Sequence, residues 1–354
     1  MWSAPGWGEG TPPTSVEVEG VLYGAQADER GPIGGGEGYT CIVSGGDYTV
    51  TDLDGLLEAL AQAQAGDVVF IDGAAEIDLT ARIYIEKLVL SVPEGVTLAG
   101  DRGHQGSQGA LIASDALDTP IMIEAAGPDV RVTGLRIRGP NPKPCIKHHD
   151  RAFKPGGLGR DYYYKFPLSY GIRTAHDRLE VDNCEISGFG HTGVVLHEGA
   201  GHHIHHNYIH HCQYRGLGYG ICHRKSVSLI ECNLFDYNRH SIAGTGHLGS
   251  GYEARNNVEL GASLDHCFDM HGTRDGKATA GSTILIHHNT FGADIFYGKD
   301  TIAIRGCPRE RCEIHHNWFV KYDQPEGAVR YPDRPDQTTR VYDNAYGRDP
   351  VVIH

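Results

Sequence analysis

One pattern of apolar and polar positions recurs along the second half of the chain: an aliphatic residue, two mostly polar residues, an asparagine, and an apolar or aromatic residue two positions on. Its copies are Ile204-His205-His206-Asn207 with Ile209, Ile230-Glu231-Cys232-Asn233 with Phe235, Ile286-His287-His288-Asn289 with Phe291, and Ile314-His315-His316-Asn317 with Phe319. Val341-Tyr342-Asp343-Asn344 with Tyr346 is a last copy, Ala254-Arg255-Asn256-Asn257 a degraded one, and Val181-Asp182-Asn183-Cys184 with Ile186 one whose register is shifted by one. The asparagines at 207, 233, 257, 289, 317 and 344 are 26, 24, 32, 28 and 27 residues apart. Near-constant but elastic spacing predicts a coil whose turns vary while its strands stay in register, because a short strand buries its inner face only by stacking on the next coil.

The predicted fold is all-β: a right-handed parallel β-helix with a short N-terminal capping helix. Ile204, Ile230, Ile286 and Ile314 are expected to form one internal ladder, and Phe235, Phe291, Phe319 and Tyr346 another. Asparagine tolerates left-handed backbone and can hydrogen-bond along a stack of turns. His205, His206, His287, His288, His315 and His316 look like a metal-binding set, but recurrence once per coil reads as a structural ladder. Thr51 or Asp52 can cap a helix through Leu53, Leu56, Leu57 and Leu60, ended by Gly66, that covers the open end of the first coil. Strand-like segments follow at Asp67–Ile71, Val96–Ala99, Ile121–Ile123 and Val130–Thr133. The expected organisation is an irregular arm over residues 1–45, then one β-helix domain over 46–354 with a loop insertion at about 140–167.

In each coil a second strand follows the asparagine turn: Gly193–His197, Gly220–Arg224, Ser241–Thr245, Cys267–His271 and Thr301–Arg305. Alternation sends Val194, Ile221, Ile242, Phe268 and Ile302 inward. The outward face then carries Val195, Cys222, Ala243, Asp269 and Ala303 in one column, and His197, Arg224, Thr245, His271 and Arg305 in the other. Coils stack at roughly 4.8 Å, so the second column is a strip of donors and cations along the axis, suited to a chain with carboxylate or sulfate groups. The bland reading is a solvated face; Asp269 beside the cations, and the polar density of Tyr237-Asn238-Arg239-His240 and of the turn from His247 to Arg255, argue for a site. The insertion carries Lys143, Lys147, His148, His149, Arg151, Lys154, Arg160, Tyr162, Tyr163, Tyr164 and Lys165, a basic, tyrosine-rich loop of the kind that walls a cleft.

The net charge of -14 argues against a nucleic-acid surface but permits a local basic cleft. No apolar run reaches the roughly 18 residues that span a bilayer, and the first residues show no secretion signal. Nine cysteines leave at least one unpaired if the rest are oxidised. Cys307 and Cys312 bracket a turn and are placed to bond, while buried thiols are the alternative for the others.

The capping helix, then Gly66-Asp67-Val68-Val69-Phe70-Ile71, then Val96-Thr97-Leu98-Ala99-Gly100-Asp101, then the asparagine-bearing coils, resembles the pectate lyase superfamily, which includes chondroitinase B and alginate lyases. The resemblance covers about residues 50 to 345. It implies a secreted or periplasmic polysaccharide-degrading enzyme. No cofactor is identified; a calcium ion is compatible with such a site, but no recognisable motif supports one, since the aspartate set of pectate lyases is not found. The expected partner is an anionic polysaccharide or oligosaccharide, with no nucleic acid and no membrane, and the chain is expected to be a monomer.

Two reactions compete. A lyase acting on a uronate removes the C5 proton and neutralises the carboxylate as charge builds there. Arg305, Arg224 or Arg239 would hold the carboxylate, His271 or His240 would act as base, and Asp269 would orient a cation. His197, Arg224, Tyr164, Lys165 and Glu253 would bind substrate. A hydrolase needs two carboxyl groups: Asp269 and one of Glu253, Asp265, Asp275 or Asp300. The lyase is favoured because no outward carboxylate pair stands on adjacent coils. A non-catalytic carbohydrate-binding β-helix is the third class.

Overall fold

The computed structural model describes residues 13–141, 143, 145–273, 278–298, 300–331 and 338–354. Asp275, one candidate carboxylate, lies outside the described residues.

The chain winds as a right-handed β-helix with three parallel ladders of strands. The first runs from Tyr48–Val50 through Val68–Ile71, Thr97–Ala99, Arg131–Thr133 and Glu180–Asp182 to Thr339–Tyr342. The second runs from Glu76–Asp78 to Asn344–Tyr346 and is closed by Val351–Ile353, which pairs antiparallel. The third includes Leu90–Val92, Ile123–Ala125, Tyr170–Thr174, His240–Gly244, Phe268–His271, Ile302–Arg305 and Val329–Arg330. Two long strands, Thr192–His205 and Tyr219–Glu231, bend from the third ladder into the first without a break.

The interior follows the repeat. Ile204, Ile230, Ile286 and Ile314 share one register, with Ala254 between, and all are fully buried. Phe235, Phe291, Phe319 and Tyr346 share another, the last three stacked at 5.0 and 5.3 Å between ring centres. Glu259 interrupts that column between Phe235 and Phe291.

The corner between the first and second ladders explains the asparagines. Asn207, Asn233, Asn257, Asn289, Asn317 and Asn344 are fully buried. Each amide but the last, that of Asn344, donates to the carboxamide oxygen of the next at 2.9–3.0 Å. Each also reaches the carbonyl of the preceding coil's aliphatic residue, as Asn289 Nδ2 does to Ala254 at 2.8 Å. The left-handed residue is not the asparagine but the one before it: Asn183, His206, Cys232, Asn256, His288, His316 and Asp343 have φ of 48–54°. One left-handed residue turns the corner, and the asparagine then points inward, where a buried amide must be satisfied.

Asp52 caps the first helix (Leu53–Gln62) by accepting from the Gly55 amide at 2.9 Å, and Leu56, Ala59 and Leu60 are buried against the first coil. The helix stops at Gln62, short of Gly66, whose φ of 99° serves the following turn. A second helix, Thr80–Glu86, has no clear apolar face and buries Ile83 alone.

The arm from residue 13 to 45 lies along the asparagine corner, in the reverse direction to the coils. It begins as a hairpin, Ser15–Val18 with Val21–Gly24. Gly24 donates to the His316 carbonyl at 3.0 Å, Gly34 to that of Cys232 at 2.8 Å, and Tyr39 Oη to Asp182 at 2.9 Å. The arm therefore covers the left-handed residues of successive coils. None of the nine cysteines forms a disulfide, so Cys307 and Cys312 are not joined; Cys312 packs into the core instead. Among the described residues no helix is long and apolar enough to cross a membrane.

Candidate functional site

The outer face of the third ladder carries a connected cluster of charged side chains around Asp269 and Asp265. Val194, Ile221, Ile242, Phe268 and Ile302 share one register and are buried inside the coil. One residue further stand Val195, Cys222, Ala243, Asp269 and Ala303, facing out. At the end of the strands His271 is paired in register with Arg305, and the His197 ring touches the Arg224 guanidinium.

A backbone kink repeats at the start of these strands. The amides of Ser241 and Ile242 both donate to the Cys267 carbonyl, at 2.8 and 3.2 Å. Those of Cys267 and Phe268 both donate to Thr301, and those of Thr301 and Ile302 to Ala328. Two N–H groups on one acceptor mark a bulge, which breaks alternation and re-aims the side chain before it. Cys267 and Phe268 both face the core, and His240 is thereby turned to the outer face, where its Nε2 lies 3.7 Å from Asp269.

Asp269 is the centre of this face. Its carboxylate is fully buried beneath the side chains it binds: Arg305 donates Nε at 2.7 Å and Nη2 to the other oxygen, and His271 Nε2 lies 2.8 Å from Oδ2. Burial alone would raise its pKa, but the hydrogen bond and charge of His271 and the charge of Arg305 hold the carboxyl well below the usual range. The carboxylate and Arg305 Nη2 both meet the His271 ring at Nε2, an acceptor and a donor on one nitrogen, so these contacts orient the ring without fixing its tautomer. The His271 side chain is 40% exposed and that of Arg305 31%. Among the described residues Arg305 Nη1 makes no hydrogen bond, so one edge of the guanidinium stays open.

His240 does not face the groove as a base would. It is fully buried, stacked between Tyr219 and His266 at 5.7 and 5.6 Å. Its Nδ1 donates to the His266 carbonyl at 2.5 Å. Burial, then Arg239, push its pKa well below the ordinary histidine value, so the ring is neutral behind Asp269. Arg239 is likewise committed: it and Arg215 reach Asp265 at 3.3 and 3.0 Å, and Arg215 lies over the Tyr297 ring at 4.6 Å.

The insertion borders this end of the face. Its helices, Ile146–Phe153 and Gly159–Tyr163, pack around Tyr163, which is buried on Tyr214 and donates to the Arg215 carbonyl. Tyr164 lies against Gly216. His149 is held below its ordinary pKa by burial and then by the charge of Arg215.

Two expected binders lie elsewhere. Glu253 belongs to the outer face of the first ladder, in register with Leu229 and Leu285, and binds Arg255 and His287. The turn from His247 crosses from one ladder to the next, which carries Glu253 off the face of Asp269. Lys165 is exposed beside Asp118 and Tyr170, at a cavity of about 410 Å³ near earlier coils. Arg215, Tyr219, His266 and Tyr297 were not singled out by the sequence reading. Their signal was Tyr219, His240 and His266 at one position in successive coils. A cavity of about 810 Å³ lies on the second ladder's outer face. Within it Arg138 is paired with Asp115 and His210 with Glu185.

No protein-family model matches the chain, and no curated protein matches it. Among solved structures it is similar to the family 28 exopolygalacturonase of Yersinia enterocolitica, with 13% identity and a TM-score of 0.45 over 83% of this chain and 62% of that one. It is also similar to the Dettilon tailspike protein, with 10% identity and a TM-score of 0.32 over 82% of this chain and 64% of that one. The chain thus spans less than two thirds of each.

Proposed function

We propose that the outer face of the third ladder binds an anionic, uronate-containing polysaccharide and cleaves it by β-elimination, as a secreted or periplasmic lyase related to the pectate lyase superfamily. The observation that supports this is Asp269, buried between His271 and Arg305 and orienting both. Arg305 offers its open edge to the uronate carboxylate, where charge builds as the C5 proton leaves. His271, in the neutral form that keeps its proton on Nε2 toward Asp269, takes that proton on Nδ1. The C5–H electron pair becomes the C4–C5 double bond, the C4–O bond breaks, and the departing oxygen takes a proton from water. His197 and Arg224 extend the cationic strip for neighbouring sugars, with Tyr164 and the insertion as a wall.

The hydrolase alternative is weaker on this geometry. Asp269 is closed off by Arg305 and cannot reach a glycosidic bond, and Asp265 is held between Arg215 and Arg239. Incubation with a panel of uronate polysaccharides separates the readings. Ultraviolet-absorbing unsaturated ends support the lyase, reducing ends without unsaturation mean a hydrolase, and retention of the polymer without cleavage means a binding module.

A further inference from the structure

On the first ladder, away from Asp269, one coil departs from the histidine stacking of the others. His203 and His205 are two residues apart on one strand and share its outer face, and Glu180 is in register with His203 on the preceding coil. One donor atom from each of Glu180, His203 and His205 lies within 4.8 Å of the others. Leu229 and Leu285 stand in the His203 column on other coils, so a histidine there is not demanded by stacking.

The hydrogen bonds around these rings form a chain with a defined direction. Asp28 of the arm faces His206 Nε2 at 3.1 Å, and His206 Nδ1 lies 3.0 Å from His205 Nδ1. A carboxylate accepts only, so the His206 tautomer with its proton on Nε2 toward Asp28 turns Nδ1 to His205 as an acceptor. His205 must then donate from Nδ1, which leaves its Nε2 bare and 3.2 Å from a Glu180 oxygen. Two acceptors face each other there, and a positive charge belongs between them. His203 is oriented similarly, its Nε2 lying 2.8 Å from Glu231. Glu231 is already bound by Arg30 and Arg255, whereas Arg131 is committed to Asp182 and stays 3.8 Å from Glu180.

We propose that Glu180, His203 and His205 bind one zinc-class divalent cation. Two imidazole nitrogens and one carboxylate suit a transition metal, whereas calcium takes oxygens throughout. The outer partners Glu231, His206 and Asp28 supply the orienting shell that ligand histidines require. The ion would tie the coil of Glu180 to that of His203 and His205, under the arm's contact with His206.

The test uses the untagged chain, stripped with a chelator. Zinc is titrated by calorimetry and cobalt(II) by its visible ligand-field absorption. One ion per chain is expected, with a cobalt spectrum showing nitrogen ligation and a rise in melting temperature. His203→Gln, at a half-exposed position, should abolish the spectrum. His206→Asn, which places there the residue found at Asn183 and Asn256, should weaken binding about 10- to 100-fold. His315→Gln should change nothing. Absence of binding by the parent chain overturns the proposal, as does binding unchanged by His203→Gln. An ion kept in His203→Gln but lost in Cys232→Ser would sit in the neighbouring Asp28, His206 and Cys232 group, and also overturns it.

Discussion

His271 and Asp269 stand two residues apart on one strand, and Nε2 of the first lies 2.8 Å from Oδ2 of the second. Strand alternation should send both outward, and it does, but Asp269 ends up buried because His271 and Arg305 close over it. The carboxylate is thus a positioning group rather than one that meets substrate. Asp269→Asn keeps the shape and removes the charge. Turnover is expected to fall on the order of 100-fold or more, with a smaller change in KM, measured by initial rates on the polymer that the parent chain degrades. Stability should also fall, by less than the about 3–5 kcal/mol of a fully buried pair, because Arg305 is part-exposed. The contribution of Asp269 comes from a depressed carboxyl pKa. It is therefore present above the unfolded carboxylate value and lost as pH falls through the folded one, and Asp269→Asn should flatten acid unfolding.

The asparagine column gives a second expectation. Asn289 accepts from the Asn257 amide and backbone and donates to Asn317 and the Ala254 carbonyl. Asn289→Ala strands several buried polar groups at once, each costing about 1–3 kcal/mol. Asn344, the last of the column, accepts from Asn317 but passes nothing on to a further asparagine. Chemical denaturation should therefore rank Asn289→Ala as more destabilising than Asn344→Ala.

Much of this was readable from the chain. The Ile–x–x–Asn spacing located the corner and the inner ladder, because every coil must repeat the same buried geometry. Alternation then paired His271 with Arg305. It failed where the backbone leaves a two-residue period. The bulges at Ser241-Ile242, Cys267-Phe268 and Thr301-Ile302 turn two neighbours inward, so His266, which alternation assigns to the core, reaches the outer face beside His240. Glu253 was misplaced for a related reason. The crossing from the third ladder to the first is unbroken strand in Thr192–His205 but a loop after Gly244, and faces cannot be counted through a turn of variable length. The arm has no periodicity at all; its path depends on contacts to residues such as Asp182 and His316 that are distant in sequence.

Glu259 supplies a prediction with the opposite pH sign. It points into the core between Phe235 and Phe291, its Oε1 has no hydrogen-bond partner among the described residues, and burial pushes its pKa up to about 8. A carboxyl raised on folding binds more protons in the native state. Its contribution is therefore whole below the ordinary value of 4.5 and lost as pH rises through about 8. Over that window it lowers stability by up to about 1.4 kcal/mol per pH unit. Glu259→Gln should remove this slope and be more stable than the parent at pH 8, as read from urea unfolding across the window.

The most direct test of the account is the rate at which His271→Ala forms unsaturated uronate ends, measured beside the parent chain on the same polymer, with circular dichroism confirming the fold. Loss of the base should lower that rate by about 100- to 10,000-fold, since His271 lies outside the core and its removal leaves the coils intact. Formation of unsaturated ends at close to the parent rate would show that another group removes the proton and would contradict the assignment of this face as the active site.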